Sequence, residues 1–311
     1  MLKKSDKIYI AGHRGMVGSA CWRALESEGY TNLVGKTSKE LDLRDQNEVQ
    51  EFIRSENPVA IIDAAAKVGG ILANDTYPYE FLMDNMLIQN NLIRSAHEND
   101  VSKFIFLGSS CIYPKFAPQP LKEEYLLTDS LEPTNEWYAI AKISGIKLIE
   151  ALRKEYIRDY VSLMPTNLYG PHDNFDLMSS HVLPAMIRKF HEAKLNENAA
   201  VELWGTGSPM REFLHVDDLA QAVLFALENK LDEHLYNVGS GVDITIKNLA
   251  KKVQDIVQHK GRVIWDSTKP DGTPKKLMDS SKLISLGWVP SITHSDGINS
   301  VYEWYLDNHE R

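Results

Sequence analysis

Along the first half of the chain, short apolar runs alternate with stretches whose apolar residues recur every three or four positions. Residues 7–11 (KIYIA) are apolar and stop at a glycine, which predicts a buried strand. Residues 16–28 (MVGSACWRALESE) carry helical spacing and stop at Gly29, a residue suited to a helix C-terminus. The pattern then repeats. Strands are predicted at 32–34, 59–65, 103–108 and 160–164, and helices at 46–56, 79–99 and 137–157, the first of these ending before Pro58. This alternation predicts right-handed βαβ units and a parallel sheet covered on both faces.

Beyond Pro165 the pattern loosens. Pro171, Pro184, Pro209, Pro270 and Pro274 punctuate shorter pieces, with helices predicted at 182–193, 217–229 and 245–258 and strands at 201–204 and 235–238. The expected organisation is a first domain over 1–165 and a mainly substrate-binding region over 166–311, some of whose segments return to the first domain. No internal repeat or low-complexity tract interrupts this reading.

Composition narrows the classes of function. The 311 residues are 43% hydrophobic and 25% charged, an ordinary globular balance. A net charge of −9 with no basic block disfavours nucleic acid and anionic membrane as partners, so an anionic ligand needs a local cluster of cations. Cys21 and Cys111 form neither a disulfide framework nor a metal-binding pair, and no metal site is expected. With no apolar run of membrane-spanning length and no leader-like N-terminus, the expectation is a cytoplasmic protein.

The first candidate chemistry follows the first strand directly. Gly12-His13-Arg14-Gly15-Met16-Val17-Gly18 joins strand to helix with glycines three apart. That spacing allows a tight turn, close approach of backbone N–H groups to a diphosphate, and close packing of helix on strand. It is weak as a lone triplet but stronger between a strand and a helix, so a dinucleotide is expected here. Which dinucleotide is a matter of charge. After the second strand, where an acidic residue would bind a ribose hydroxyl, stands Gly35-Lys36-Thr37-Ser38-Lys39, and the first carboxylates are Glu40 and Asp42. With Arg14 in the glycine loop, the cations favour a 2′-phosphate, hence NADP; otherwise Lys36 and Lys39 are simply solvated charges.

The second candidate is Tyr138-Ala-Ile-Ala-Lys142, a phenol and an ammonium on one helix face. A cation near a tyrosine lowers its pKa and suits it to proton exchange near neutrality. The strand at 103–108 ends in Ser109-Ser110, and a hydroxyl there would bind the carbonyl oxygen that Tyr138 protonates; Ser109 is preferred over Ser110.

Taken with Gly12, Gly15, Gly18, Ser109, Tyr138 and Lys142, longer strings carry a resemblance. They are AGHRGMVGSA (11–20), AAAKVGGILANDTYP (64–78), LGSSCIYPK (107–115), EPTNEWYAIAK (132–142), MPTNLYGPHDNF (164–175), PMREFLHVDDLA (209–220) and KPDGTPKKLMD (269–279). Over nearly its whole length the chain resembles the extended short-chain dehydrogenase/reductase family acting on nucleotide sugars. It is most similar to the branch that inverts C3 and C5 of GDP-4-keto-6-deoxy-D-mannose and then reduces C4 with NADPH, forming GDP-L-fucose.

The resemblance implies an α/β fold, a Rossmann-type doubly wound parallel sheet with a smaller C-terminal substrate-binding region. It implies Cys111 and His181 as the acid–base pair of the epimerisation. By residue type alone, Cys111 reads as a small buried hydrophobe and His181 as a polar helix start. For NADP(H) it points to residues 12–18, to Lys36, Ser38, Lys39, Asp42 and Leu43, and to Leu107, Gly108, Ser109 and Ser110. Tyr138, Lys142, Pro165, Thr166, Asn167, Leu168 and His181 complete that set. For the GDP-sugar it points to Asn167, Lys189, Trp204, Arg211 and Asp271. Arg211 offers a planar fork to a diphosphate, although the same residue would serve in a surface ion pair. Two positions depart from the pattern: Lys189 replaces a common arginine, and Ser38 stands where an arginine can meet the 2′-phosphate. The branch also implies a homodimer through the helices at 79–99 and 137–157. Related 4-reductases or 5-epimerase/4-reductases on other GDP-keto-sugars, of dideoxy or heptose type, share nearly the same strings. A non-catalytic NADPH-binding regulator is the reading from another class.

Overall fold

The structure is a computed structural model that describes residues 2–177, 179–197, 199–269 and 271–309. In chain order the first half runs β1 (Ile8–Ala11), α1 (Met16–Ser27), β2 (Leu33–Val34), α2 (Gln46–Glu56), β3 (Ala60–Asp63), α3 (Ile71–Thr76), α4 (Pro78–Glu98), β4 (Lys103–Leu107), α5 (Glu136–Tyr156) and β5 (Asp159–Pro165). The second half runs β6 (Asn167–Tyr169), α6 (Val182–Leu195), β7 (Val201–Trp204), β8 (Met210–His215), α7 (Val216–Glu228), β9 (Leu235–Val238), β10 (Asp243–Thr245), α8 (Ile246–Val257), β11 (Val263–Asp266), β12 (Lys275–Lys276), α9 (Ser281–Ser285) and α10 (His294–His309).

Local chemistry sets several of these boundaries. Asp45 caps α2 by accepting hydrogen bonds from the Asn47 and Glu48 N–H groups, and the helix ends on left-handed Asn57. Pro78 opens α4, where its missing N–H costs nothing. Thr245 caps α8 through the Asn248 N–H.

β2, β1, β3, β4, β5 and β9 form one six-stranded sheet in that order, every pairing parallel. Alternation within each strand splits its side chains between two cores. Ile8, Ile10, Ile62, Val161 and Leu163 face α1 and α7, packing on Leu25, Leu219 and Val223. Tyr9, Ile61, Phe104 and Phe106 face α2, α4 and α5, packing on Ile53, Leu92 and Ile146. The doubly wound parallel sheet is thus the architecture of this chain. The strand order reverses between β1 and β3, so their carboxyl ends mark the switch point at which sheets of this kind bind ligands.

Two smaller sheets build the rest. β8 pairs with β10, β12 and β6, while β7 pairs with β11. Their core is Phe190, Phe213, Val253, Val301 and Tyr302, contributed by α6, α8, α10 and β8. β9 leaves this region to complete the large sheet beside β5. Among the described residues, no helix is long and apolar enough to cross a membrane.

Candidate active site

The glycine loop spans the β1–α1 turn. Gly12 has φ +75, and a Cβ there would lie 2.7 Å from the Ala64 oxygen; one on Gly18 would lie 2.2 Å from the Gly12 oxygen. Gly15 caps α1 with no side-chain hydrogen bond, so among the described residues no side chain caps the first N–H groups of the helix. A bare helix N-terminus against closely packed backbone is the cradle a dinucleotide diphosphate requires. His13 packs on Gly35 and faces Trp22, and burial with Arg14 nearby pushes its imidazole below the usual range.

Beyond β2, Glu40 accepts hydrogen bonds from the Thr37 N–H and hydroxyl, so its carboxylate is turned back onto its own loop. Arg14 and Lys36 act on it electrostatically, and Ser38 and Lys39 are exposed beside it. Asp42 is held by Arg44 at 2.8 Å, and the Leu43 carbonyl accepts from Asn91. This corner therefore presents cations, with its two nearest carboxylates already engaged.

The chemistry-bearing groups converge at the carboxyl end of β4. Lys142, buried on α5, donates through Nζ to the Leu107 carbonyl at 2.9 Å. Its ammonium lies 5.8 Å from the Tyr138 ring centroid, as the four-residue spacing on one helix face requires. Ser109 stands half-exposed at the strand end, its Oγ accepting from the Cys111 N–H at 3.5 Å, whereas Ser110 is buried. Gly108 is pressed against Met164, where a Cβ would meet the thioether at 2.2 Å. Cys111 is buried next to Ser109.

His181 opens α6 and is exposed, its pKa lowered by surrounding protein. The Gly70 N–H donates to Ser179, which ties the loop before His181 to the β3–α3 segment. Pro165 ends β5, and Thr166 and Asn167 both donate side-chain hydrogen bonds to the Glu212 carbonyl, so the segment reaching Leu168 is locked to β8.

The expectation about the charge of Tyr138 needs correction. Tyr138 is not eased toward its phenolate: burial pushes its pKa up, with Cys111 and Asp63 adding to the effect, so the bare site holds a neutral phenol. Cys111 is likewise pushed up by burial, although Lys276, Ser109 and Lys142 each pull it back toward thiolate. Desolvation is the larger effect in both cases, and residue spacing does not reveal it.

The second cluster forms where β7, β8 and β12 meet. Lys189 reaches from α6 to the Glu202 carbonyl at 3.1 Å. Trp204, on the same strand, is 66% exposed and has the Lys269 ammonium 5.5 Å from its ring centroid, so it is not a core residue. Asp271 accepts from the Thr206 N–H and hydroxyl, both at 2.7 Å, and attracts Arg211. The structure therefore groups Lys189, Trp204, Arg211 and Asp271 around one loop.

Three residues near these groups escaped the sequence reading. Lys276 lies beside Arg211 in the β12–β8 pairing and is the foremost charge acting on Cys111. Glu212 is fully buried and accepts from the Gly241 and Met278 N–H groups at 2.7 and 2.9 Å, which fixes β12 and with it Lys276. Asp63 is buried at the end of β3. A signal existed for the last two, since each places a carboxylate within or at the end of an apolar strand. Lys276 sits in a Lys-Lys pair that looks like ordinary surface. Among the described residues, no His, Cys, Asp and Glu groups converge as metal ligands.

Comparison with known proteins agrees with this geometry. Residues 8–239 match the NAD dependent epimerase/dehydratase family. The chain is 59% identical to a putative GDP-L-fucose synthase of Arabidopsis thaliana, over 99% of this chain and 94% of that protein. It is 53% identical to the GDP-L-fucose synthase of Escherichia coli K12, over 98% of each. Among solved structures it resembles a GDP-mannoheptose C4 reductase from Campylobacter jejuni with NADP bound, with a TM-score of 0.91, 38% identity, and coverage of 98% of this chain and 99% of that one. The chain belongs to the NAD dependent epimerase/dehydratase family, in its GDP-L-fucose synthase branch.

Proposed function

We propose that this protein converts GDP-4-keto-6-deoxy-D-mannose to GDP-L-fucose, inverting C3 and C5 and then reducing C4 at the expense of NADPH. The observation that carries the reading is the convergence of Ser109, Cys111, Tyr138 and Lys142 at the end of β4, in a chain 53–59% identical to GDP-L-fucose synthases. Residues 1–165 hold the cofactor and 166–311 mainly the sugar nucleotide. The GDP moiety lies along Lys189, Trp204, Arg211 and Asp271. Tyr138 and Ser109 share the C4 oxygen. Cytoplasmic location is part of the same proposal.

Protons α to a ketone are acidic because the resulting enolate places charge on oxygen. Donors on that oxygen, Tyr138 Oη and Ser109 Oγ, stabilise the enolate. Cys111 and His181 move protons on and off C3 and C5 from their separate elements. The protein around His181 shifts its imidazole toward the neutral form, and Cys111 is drawn toward thiolate by Lys276 and Ser109 against burial. NADPH, when bound in the glycine cradle, supplies the hydride that C4 receives. Tyr138 then delivers its phenolic proton to the C4 alkoxide, and Lys142, anchored on Leu107, holds the ribose side of that site.

The reading also includes a homodimer. Tyr79, Met83 and Leu87 form an exposed stripe at four-residue spacing on α4, and Trp137 and Ile140 are exposed on α5, the helix packed beside it. Two such helix pairs form a four-helix interface.

Mixing the protein with NADPH and GDP-4-keto-6-deoxy-D-mannose is expected to consume the reduced-nicotinamide absorbance. No consumption would reduce the chain to a binding module. Consumption only with a heptose or dideoxy keto-sugar would move it to the neighbouring reductases. Cofactor choice gives a further expectation. Because Arg14, Lys36 and Lys39 face this corner while Glu40 is engaged by Thr37, NADPH should bind at least about tenfold more tightly than NADH, roughly 1.4 kcal/mol. Equal affinities in a fluorescence titration would contradict that assignment.

A further inference from the structure

β3 and β4 run parallel with Asp63 directly beside Phe106, so both side chains point toward α5. The Phe106 ring packs under Gly145 of α5, and the Lys142 ammonium lies 4.8 Å from its centroid. Asp63 is therefore placed beneath the helix that carries Tyr138 and Lys142. It is 1% exposed; its Oδ1 accepts from the Ala65 N–H at 3.3 Å, and its Oδ2 has no hydrogen-bond partner among the described residues. A buried carboxylate oxygen without a partner costs stability, so the position needs a reason other than folding.

We infer that Asp63 is a positioning residue for the reduction: its buried charge acts through space on the α5 pair, keeping Lys142 an ammonium and Tyr138 a protonated phenol. The inference rests on the reading of Tyr138 and Lys142 as the catalytic pair. The titratable groups around it are few. Lys142 and Tyr138 reach toward it from α5 and Tyr9 from β1, while Cys111, in the turn after β4, acts on both α5 groups. On α4 the carboxylates of Glu80 and Asp84 are taken up by Lys67.

The directions agree. Burial pulls Lys142 down, and the Asp63 charge opposes it; the same charge pushes Tyr138 up. Removing the charge lowers both, so the alkaline limb of the pH profile moves to lower pH whichever of the two it reports. Asp63 itself is raised to about 6 by burial, against attraction from Lys142. A carboxyl raised in the folded state contributes most stability below its unfolded pKa. It loses that contribution as pH climbs through the folded value.

The experiment is the pH profile of kcat/KM for Asp63→Asn, which keeps the volume and removes the charge, beside a thermal melt at several pH values. The expected result is an alkaline limb shifted down by about one pH unit. Its Tm should be at or above wild type, with the gap opening between about pH 4 and pH 6 and staying level above that. Asp63→Leu, which also removes the orphaned oxygen, should shift the limb the same way and serves if the amide is poorly tolerated. A folded variant whose alkaline limb coincides with wild type overturns the inference. Tyr138→Phe is run alongside. If it loses turnover while the Asp63 limb stays in place, only the Asp63 assignment fails; if it keeps turnover, the catalytic reading itself fails.

Discussion

Tyr138→Phe lowers the rate of C4 reduction by about 10²-fold or more while leaving NADPH binding intact. The hydroxyl is the only group the substitution removes. The Tyr138 ring keeps its edge-on neighbour Phe81 at 6.5 Å, and Lys142 keeps its bond to Leu107, so the pocket and the ribose anchor persist. What disappears is the proton that quenches the developing alkoxide. Burial holds that proton on the phenol in the bare site, so the group is poised as an acid. The check is steady-state NADPH oxidation with a parallel titration of NADPH binding. Near-normal turnover would remove Tyr138 from the reaction.

Cys111→Ser separates the two chemistries of the site. A serine hydroxyl has far too high a pKa to serve as a base without a partner, so proton exchange at C3 and C5 should collapse. The volume is nearly conserved, and Ser109, Tyr138 and Lys142 are untouched. Hydride transfer to the unepimerised ketone therefore survives, at a rate set by how well that sugar fits. Deuterium incorporation at C3 and C5 in heavy water, followed beside NADPH consumption, reads both halves. Exchange at the wild-type rate would make Cys111 a packing residue, which is what its burial alone suggests.

The large sheet was legible because its strands are apolar on both faces and its helices carry clean spacing. β1 to β5 and α1, α2, α4 and α5 lie within a few residues of where the pattern puts them. In the smaller sheets β7 was legible, at 201–204, and the other strands were not. β6, β8, β10 and β12 are short and mix charged with apolar residues, and their pairing depends on contacts distant in sequence, as between Lys276 and Arg211. α10 was also invisible: it opens on His294–Asp296 and carries Gly297, which reads as a breaker. That glycine is there for space, since a Cβ would lie 2.3 Å from the Tyr169 hydroxyl. Site residues were legible where they belong to a spaced motif, as Gly12 to Gly18 and Tyr138 with Lys142 do. Charge states were not, because desolvation of Tyr138 and Cys111 is a property of what packs around them.

If one site both inverts two carbons and reduces a third, NMR of the product formed from GDP-4-keto-6-deoxy-D-mannose and NADPH in heavy water will show it. The expected product is GDP-L-fucose carrying deuterium at C3 and C5, with one NADPH consumed per sugar. A 4-hydroxy product that retains the manno configuration and protium at both carbons would contradict it.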